Sequence, residues 1–188
     1  MLRTVELFAA ILAAGSSVAL AAEPTPLLFT LSSPAFADDA VLPLKYAGAQ
    51  CGTAKGGNLS PPLAWSNPPA GTKSFAVVMI DPDGGRGLGS VHWVAYGIDA
   101  ARTGLTEGEG AVASSGITAG KNSRGTAGYA GPCGPPIDAP HHYVIQVLAL
   151  DLAPGSLPPV LDRDQLFKAI AGHSLGPASL VVRYRRTE

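Results

Sequence analysis

The sequence has few charged residues and almost no net charge. Only 14% of its 188 residues are charged, and 13 lysines and arginines stand against 14 aspartates and glutamates, for a formal net charge of −1. A protein that neutralises a phosphate backbone needs a basic surface, so this balance argues against nucleic-acid binding. Beyond residue 22, no apolar run approaches the roughly 20 residues of a membrane-spanning helix.

The motifs of several enzyme classes are also absent. The chain has no G-x-S-x-G sequence, no P-loop and no H-E-x-x-H sequence. It has two cysteines and no C-x-x-C, which is too little for a structural zinc site. We therefore expect no cofactor and no structural zinc site. The hydrophobic content of 46% is nevertheless too high for a disordered chain and indicates a folded domain.

The first 21 residues have the layout of a secretory signal peptide. Arg3 precedes an apolar stretch from Leu7 to Ala14, and an A-x-A cleavage pattern follows at Ala19-Leu20-Ala21. The alternative is an uncleaved anchor helix. Cleavage would leave one domain, residues 22–188, in the periplasm or the secreted fraction. In such an oxidising compartment Cys51 and Cys133 predict a disulfide, with two free thiols as the alternative.

The remaining chain shows the pattern of short strands, and the sequence predicts an antiparallel all-β fold. Gly, Pro, Asn and Asp separate segments that are rich in Val, Ile, Phe and Tyr. One helix is predicted, capped by Asp162 with Gln165 as its reciprocal partner and ended by Gly172. The predicted strands are Leu27–Leu31, Ser74–Ile80, Val91–Ile98, Tyr143–Leu150 and Leu180–Tyr184. Since Ser74–Ile80 is almost entirely apolar, we expect it to be a central strand covered on both faces.

A few polar side chains lie within or directly after these apolar strands. Asp81 follows Ser74–Ile80, and a buried carboxylate needs a partner. Period-two alternation puts His92 on the face of Val94 and Tyr96, and His141 on the face of Tyr143. If the sheet brings them together, they form a polar cleft suited to an anion such as a phosphate monoester. The alternative is that each histidine is an ordinary core or surface residue.

An ordered set of motifs resembles the phosphatidylethanolamine-binding protein family, also called the Raf kinase inhibitor protein family, and in particular its bacterial YbhB/YbcL-like branch. The similarity runs from about Phe29 to Tyr184. The motifs are Asn58-Leu59-Ser60-Pro61-Pro62-Leu63-Ala64-Trp65, Ala70-Gly71-Thr72-Lys73-Ser74-Phe75-Ala76, Asp81-Pro82-Asp83, Val91-His92-Trp93, Gly128-Tyr129-Ala130-Gly131 and Pro140-His141-His142-Tyr143.

The resemblance implies a β-sandwich of Greek-key type with a small helix near the C-terminus and an anion pocket at one end that holds no metal. The residues that it implies for the pocket are Asp81, His92, His141, Tyr143 and Pro135. The implied supporting residues are Asp83, Tyr129 and His142. The family commonly has Arg at the position of His142. The histidine in this chain therefore removes a fixed positive charge near the pocket mouth. Exported members of the branch have cysteines in the places that Cys51 and Cys133 occupy.

Three functions are compatible with these residues. The first is an exported, non-catalytic binding protein for phosphate or phosphorylethanolamine-like head groups, or for phosphorylated or acidic peptides. The second is an inhibitor of a serine protease or kinase, acting through pocket-end loops such as Gly131–Pro140. The third is a metal-dependent hydrolase in which the carboxylate and two histidines form a facial triad.

Overall fold

The computed structural model describes residues 27–49, 51, 55–114, 116–134 and 139–186. The predicted signal segment and Pro135 lie outside the described residues. The strands are β1 (Thr30–Ser32), β2 (Ala40–Val41), β3 (Leu63–Ser66), β4 (Ser74–Asp81), β5 (Ser90–Asp99), β6 (Gly104–Leu105), β7 (Thr118–Ala119), β8 (His141–Leu150) and β9 (Ser174–Tyr184). The helical segments are the 3-10 turn Leu44–Tyr46 and α2 (Arg163–Ala169). The segment α1 (Gly84–Gly87) is a turn rather than a regular helix, because Gly85 and Arg86 have positive φ angles of 58° and 60°.

The strands form two sheets in the described part of the chain. The larger sheet has the order β2-β9-β8-β4-β5-β7, and the smaller has the order β1-β3-β6. Within each sheet, neighbouring strands are antiparallel, except that β2 and β9 are parallel. The predicted all-β sandwich with a short helix near the C-terminus is confirmed. No helix among the described residues is long and apolar enough to cross a membrane.

Strand β4 is covered on both faces, as the sequence predicts. Phe75, Val77 and Met79 are buried between the two sheets. The alternate residues, Ala76 and Val78, pack on the opposite side against Leu166 of α2 and its neighbours. This alternation follows from the period of two in a β-strand, in which successive side chains point to opposite faces. The almost entirely apolar sequence of β4 therefore contributes side chains to two hydrophobic clusters, one on each face of the sheet.

The predicted helix is present, with the capping interactions that its sequence indicates. The Asp162 carboxylate accepts a hydrogen bond from the N–H of Gln165 at 2.8 Å, and the N–H of Asp162 donates to the Gln165 side chain at 3.0 Å. This capping box satisfies two of the backbone N–H groups that a helix start leaves unpaired. Strand β9 is longer than predicted, since it begins at Ser174 directly after the helix and its turn.

A β-bulge in β5 changes the direction of His92. Met79 pairs with Trp93 and Ile80 pairs with Val91, so His92 is an extra residue opposite a single step of β4. The expectation that His92 shares a face with Val94 is wrong. Val94 packs on the helix side of the sheet, whereas the His92 ring contacts Tyr143 of the core between the sheets. Bulges commonly redirect a side chain in this way next to binding sites.

Candidate functional site

The end of β4 and the start of β8 meet through Asp81 and His141. The carboxylate of Asp81 is 3% exposed. Its Oδ2 atom lies 2.9 Å from Nδ1 of His141. Its Oδ1 atom accepts from the backbone N–H groups of Asp83 and Gly84 at 3.0 and 2.9 Å. Since a carboxylate only accepts hydrogen bonds, Nδ1 of His141 carries the hydrogen, which fixes the orientation of the ring.

The second imidazole, His92, is held by the loop that follows Tyr129. Its Nδ1 atom donates to the Ala130 carbonyl at 2.6 Å, while its backbone carbonyl accepts from the N–H of Ala130 at 2.8 Å. Nε2 of His92 lies 3.9 Å from the Asp81 carboxylate. Burial lowers the pKa of His92, and the charges of Arg124 and His141 act in the same direction, whereas Ala130 and Asp81 oppose the shift. Burial dominates because it disfavours the charged imidazolium.

Tyr143 lies between the two histidines. Its ring contacts His92 edge-on, with centroids 5.1 Å apart, and stacks on His141 at 6.4 Å. Its hydroxyl is buried and makes no hydrogen bond of normal geometry within the described residues. Burial and then the negative charge of Asp81 raise the pKa of Tyr143, so the hydroxyl stays protonated and can donate.

These side chains open into one cavity of about 300 Å³. The structure therefore brings together Asp81, His92, His141 and Tyr143, which are far apart along the chain. The described lining residues are Asp81, Gly84, Gly85, Ser90, Val91, His92, Ser123, Arg124, Ala130, Cys133, Gly134, His141 and Tyr143. A volume of this size is at the lower limit for a small-molecule site, which suits a compact group rather than a whole lipid.

The loops around the cavity are fixed by buried hydrogen bonds. Tyr129 does not line the cavity, but its hydroxyl donates to the Tyr46 carbonyl at 2.7 Å. The Asn58 side chain accepts from the N–H of Gly131 at 2.8 Å. The two cysteines are joined in a disulfide, with their Cα atoms 5.3 Å apart, and Cys133 forms part of the cavity wall. The role expected for Pro135 stays a prediction, because it lies outside the described residues.

His142 and Asp83 form a second, exposed pair beside the first. The Asp83 carboxylate accepts from the backbone N–H of His142 at 2.8 Å and from its Nδ1 at 3.0 Å. Both hydrogen bonds lower the pKa of Asp83. Neither residue lines the cavity. These hydrogen bonds connect the turn after β4 to the first residues of β8. His142 therefore supports the structure beside the cavity and does not line it.

Sequence reasoning missed Ser123 and Arg124, which line the cavity from the turn between β7 and β8. The residues around them, Asn122-Ser123-Arg124-Gly125, have the composition of a tight turn, so the turn itself could have been predicted. Its position beside β5 depends on tertiary contacts that the sequence does not reveal.

The described residues offer no support for the metal-hydrolase alternative. No group of three or more His, Cys, Asp or Glu side chains in these parts of the chain has an arrangement that could hold a metal ion. The Asp81 carboxylate and Nδ1 of His141 face each other instead. Nδ1 of His92 faces the Ala130 carbonyl.

A sequence profile of the family described as phosphatidylethanolamine-binding protein matches residues 32–185. The chain belongs to the phosphatidylethanolamine-binding protein family. It is 40% identical over 165 residues to LppC of Mycobacterium tuberculosis, whose name describes it as a lipoprotein; the match covers 86% of this chain and 72% of LppC. It is 36% identical over 158 residues to a UPF0098 protein of Methanothermobacter thermautotrophicus, with 83% of this chain and 98% of that protein covered.

The fold of this family member is also similar to solved structures. The crystal structure of Escherichia coli YbcL, described as a member of the mammalian PEBP family, has a TM-score of 0.75 and 31% sequence identity. That similarity covers 84% of this chain and 98% of YbcL. The resemblance to the bacterial YbcL-like branch is therefore confirmed.

Proposed function

We propose that this chain is a binding protein whose cavity takes a small anionic group. Suitable groups are inorganic phosphate, a phosphorylethanolamine-like head group, or the phosphate of a phosphorylated peptide. The observation that carries the proposal is the hydrogen bond between Asp81 and His141 at the wall of a cavity that His92 and Tyr143 also line. With Nδ1 hydrogen-bonded to the protein, each imidazole can donate from Nε2 to a tetrahedral anion once it is protonated.

Asp81 supports anion binding although it is itself negative. Its two oxygens are occupied by the N–H groups of Asp83 and Gly84 and by His141. It therefore acts as a positioning residue, since both of its oxygens already accept hydrogen bonds from the protein. Its charge also favours the protonated form of a neighbouring imidazole, which strengthens donation to an anion.

The proposal is one of binding without catalysis. Cys133, the lining residue with the most nucleophilic side chain, is blocked in the disulfide with Cys51. Membership in a family described by its binding function supports the same role. The disulfide and the lipoprotein name of LppC support export to an oxidising compartment, the periplasm or the outside of the cell.

Titration calorimetry with inorganic phosphate and with O-phosphorylethanolamine tests the proposal. We expect His141→Ala to lower the affinity by about tenfold or more, as loss of a charged hydrogen bond predicts. His173→Ala is the matched control, because His173 is exposed and pairs with Asp151 away from the cavity. Absence of binding to the unmodified protein, or equal affinities for all three proteins, would overturn the proposal.

The inhibitory hypothesis stays a prediction. It depends on the loop Gly131–Pro140, and residues 135–138 of that loop lie outside the described residues. A panel of serine protease assays with the intact protein would test it, independently of phosphate binding.

A further inference from the structure

A turn formed by residues 122–126 places a permanent positive charge at the cavity. The turn is organised by the buried side chain of Asn122. Its Oδ1 atom accepts from the N–H of Arg124 at 2.9 Å, and its Nδ2 atom donates to the Thr126 hydroxyl at 2.9 Å and to the Gly128 carbonyl at 3.1 Å. An amide that is satisfied on both sides holds the backbone of this turn in one conformation.

The same turn is attached to the start of β5, next to His92. The N–H of Ser123 donates to the Val91 carbonyl at 2.9 Å, and the N–H of Val91 donates to the Ser123 hydroxyl at 2.7 Å. These two bonds set the distance between the turn and the strand that carries His92. Arg124 is thereby brought to the cavity wall by backbone contacts rather than by its own flexible side chain.

The guanidinium of Arg124 is engaged only weakly by the protein. It donates to the Gly131 carbonyl at 3.5 Å, near the limit of a hydrogen bond. Across the parts of the chain that the structure describes, no carboxylate forms an ion pair with it. His142 is hydrogen-bonded to Asp83 outside the cavity. Arg124 thus contributes a charge that does not depend on pH.

We infer that Arg124 recognises the charge of the ligand and gives the cavity a preference for a terminal, doubly charged phosphate over a singly charged phosphodiester. The inference rests on the proposed anion-binding function. A guanidinium can donate two parallel hydrogen bonds to adjacent phosphate oxygens, and a dianion gains more from its charge than a monoanion does. The protonated imidazoles of His92 and His141 then donate from Nε2 to the remaining oxygens inside the cavity.

Two related probes separate the possible sources of the phosphate. O-phosphorylethanolamine is a free monoester, and glycerophosphorylethanolamine is the diester head group of a lipid. At neutral pH we expect the unmodified protein to bind the monoester about tenfold more tightly than the diester. Arg124→Gln should weaken monoester binding by about 10-fold to 100-fold and diester binding by less. The monoester affinity of Arg124→Lys should lie between those of Arg124→Gln and the unmodified protein, because lysine keeps the charge but lacks the paired donors of arginine.

Arg86→Gln is the matched control, since it makes the same change in net charge at an exposed residue of α1 that does not line the cavity. Its affinity should stay within about twofold of the unmodified protein. Equal monoester affinity of Arg124→Gln and the unmodified protein, equal losses in the two variants, or equal affinity for the two probes would overturn the inference while the anion site stands. Failure of the unmodified protein to bind either probe or inorganic phosphate would instead reject the proposed function itself.

Discussion

The Asp81 carboxylate lies 2.9 Å from Nδ1 of His141, a residue 60 positions further along the chain. The other oxygen of the same carboxylate accepts two backbone N–H groups from the turn that follows β4. One buried side chain thus joins a strand end, a turn and an imidazole. Gly84 belongs to this arrangement because a side chain there would lie 2.9 Å from Oδ2 of Asp81 and 2.7 Å from the Ser90 hydroxyl.

Asp81→Asn should therefore weaken both the fold and the site. The amide keeps one acceptor for the turn but presents an N–H₂ group to the protonated Nδ1 of His141. We expect the free energy of unfolding to fall by about 1–3 kcal/mol, the cost of leaving a buried donor unsatisfied. Urea denaturation measures the stability, and calorimetry with phosphate measures the accompanying loss of affinity.

Asp83→Asn is the control for this variant. It changes the same residue type two positions away, but Asp83 is exposed and pairs with His142 outside the cavity. Exposed ion pairs contribute little, so the stability should change by less than about 1 kcal/mol and phosphate affinity should be retained. Equal effects of the two substitutions would show that Asp81 has no special positioning role.

Tyr143 and Tyr129 should respond in opposite ways when each is replaced by Phe. The Tyr143 hydroxyl is buried without a hydrogen bond of normal geometry in the described part of the chain, so Tyr143→Phe should leave the stability unchanged or higher. If the hydroxyl donates to the ligand, phosphate affinity should fall by about tenfold. Loss of stability with unchanged affinity would assign Tyr143 a structural role only.

Tyr129→Phe provides the comparison, because the Tyr129 hydroxyl donates to the Tyr46 carbonyl and lies outside the cavity. Its removal should lower the free energy of unfolding by about 1 kcal/mol and leave binding intact.

Anion affinity should increase as the pH falls, through His92. Burial lowers the pKa of this imidazole from 6.5, so it is neutral at pH 7, with its Nδ1 hydrogen donated to Ala130. A bound anion stabilises the imidazolium and raises that pKa, so protonation and binding support each other. Between about pH 7.5 and pH 5.5 the affinity for sulfate, whose charge is constant there, should rise by at most about tenfold per pH unit.

Among the described residues, four charged or titratable groups face His92, namely Asp81, His141, Arg124 and Tyr143. The contribution of His92 to the pH dependence of sulfate affinity is obtained by comparing the sulfate titrations of the unmodified protein and of His92→Gln. The variant should show a smaller pH dependence. Identical profiles for the two proteins would contradict the assignment.

Loss of the disulfide should affect stability and binding together. The bridge joins residues 82 positions apart, and its removal by Cys51→Ser or Cys133→Ser should destabilise the fold by about 2–4 kcal/mol. Phosphate affinity should fall as well, because Cys133 and Gly134 line the cavity. The backbone at Gly134 lies close to the His141 ring, since a Cβ atom there would be 3.8 Å from it, so a shift of this wall would change the surroundings of His141. Unchanged affinity in both folded variants would show that this wall is not required.

Much of the fold could be predicted from local patterns. The apolar run at Ser74–Ile80 indicated a strand with two covered faces, and Asp162 with Gln165 indicated the helix start. Both patterns involve residues close together in the sequence, so the strand and the helix start can be predicted without knowledge of the tertiary structure. The short strands β2, β6 and β7 have only two residues each, and their pairing depends on partners from elsewhere in the chain.

The site was less predictable because its geometry depends on an irregularity and on a turn. Strict alternation would direct His92 away from Tyr143, and only the extra residue in β5 reverses this. Arg124 gave no signal of its own, since a basic residue in a polar turn is ordinarily solvated. Family resemblance indicated which residues meet, but the conformation of this strand and this turn comes from the structure.

The two strands that carry the imidazoles belong to the main sheet, whereas Arg124 and Ser123 belong to a turn that Asn122 organises almost by itself. If the proposed role of Arg124 holds, substitutions within that turn should alter electrostatic selectivity without repacking the hydrophobic interior. Redesign of ligand preference in the laboratory therefore has a short segment to vary, provided that its two hydrogen bonds to β5 are kept.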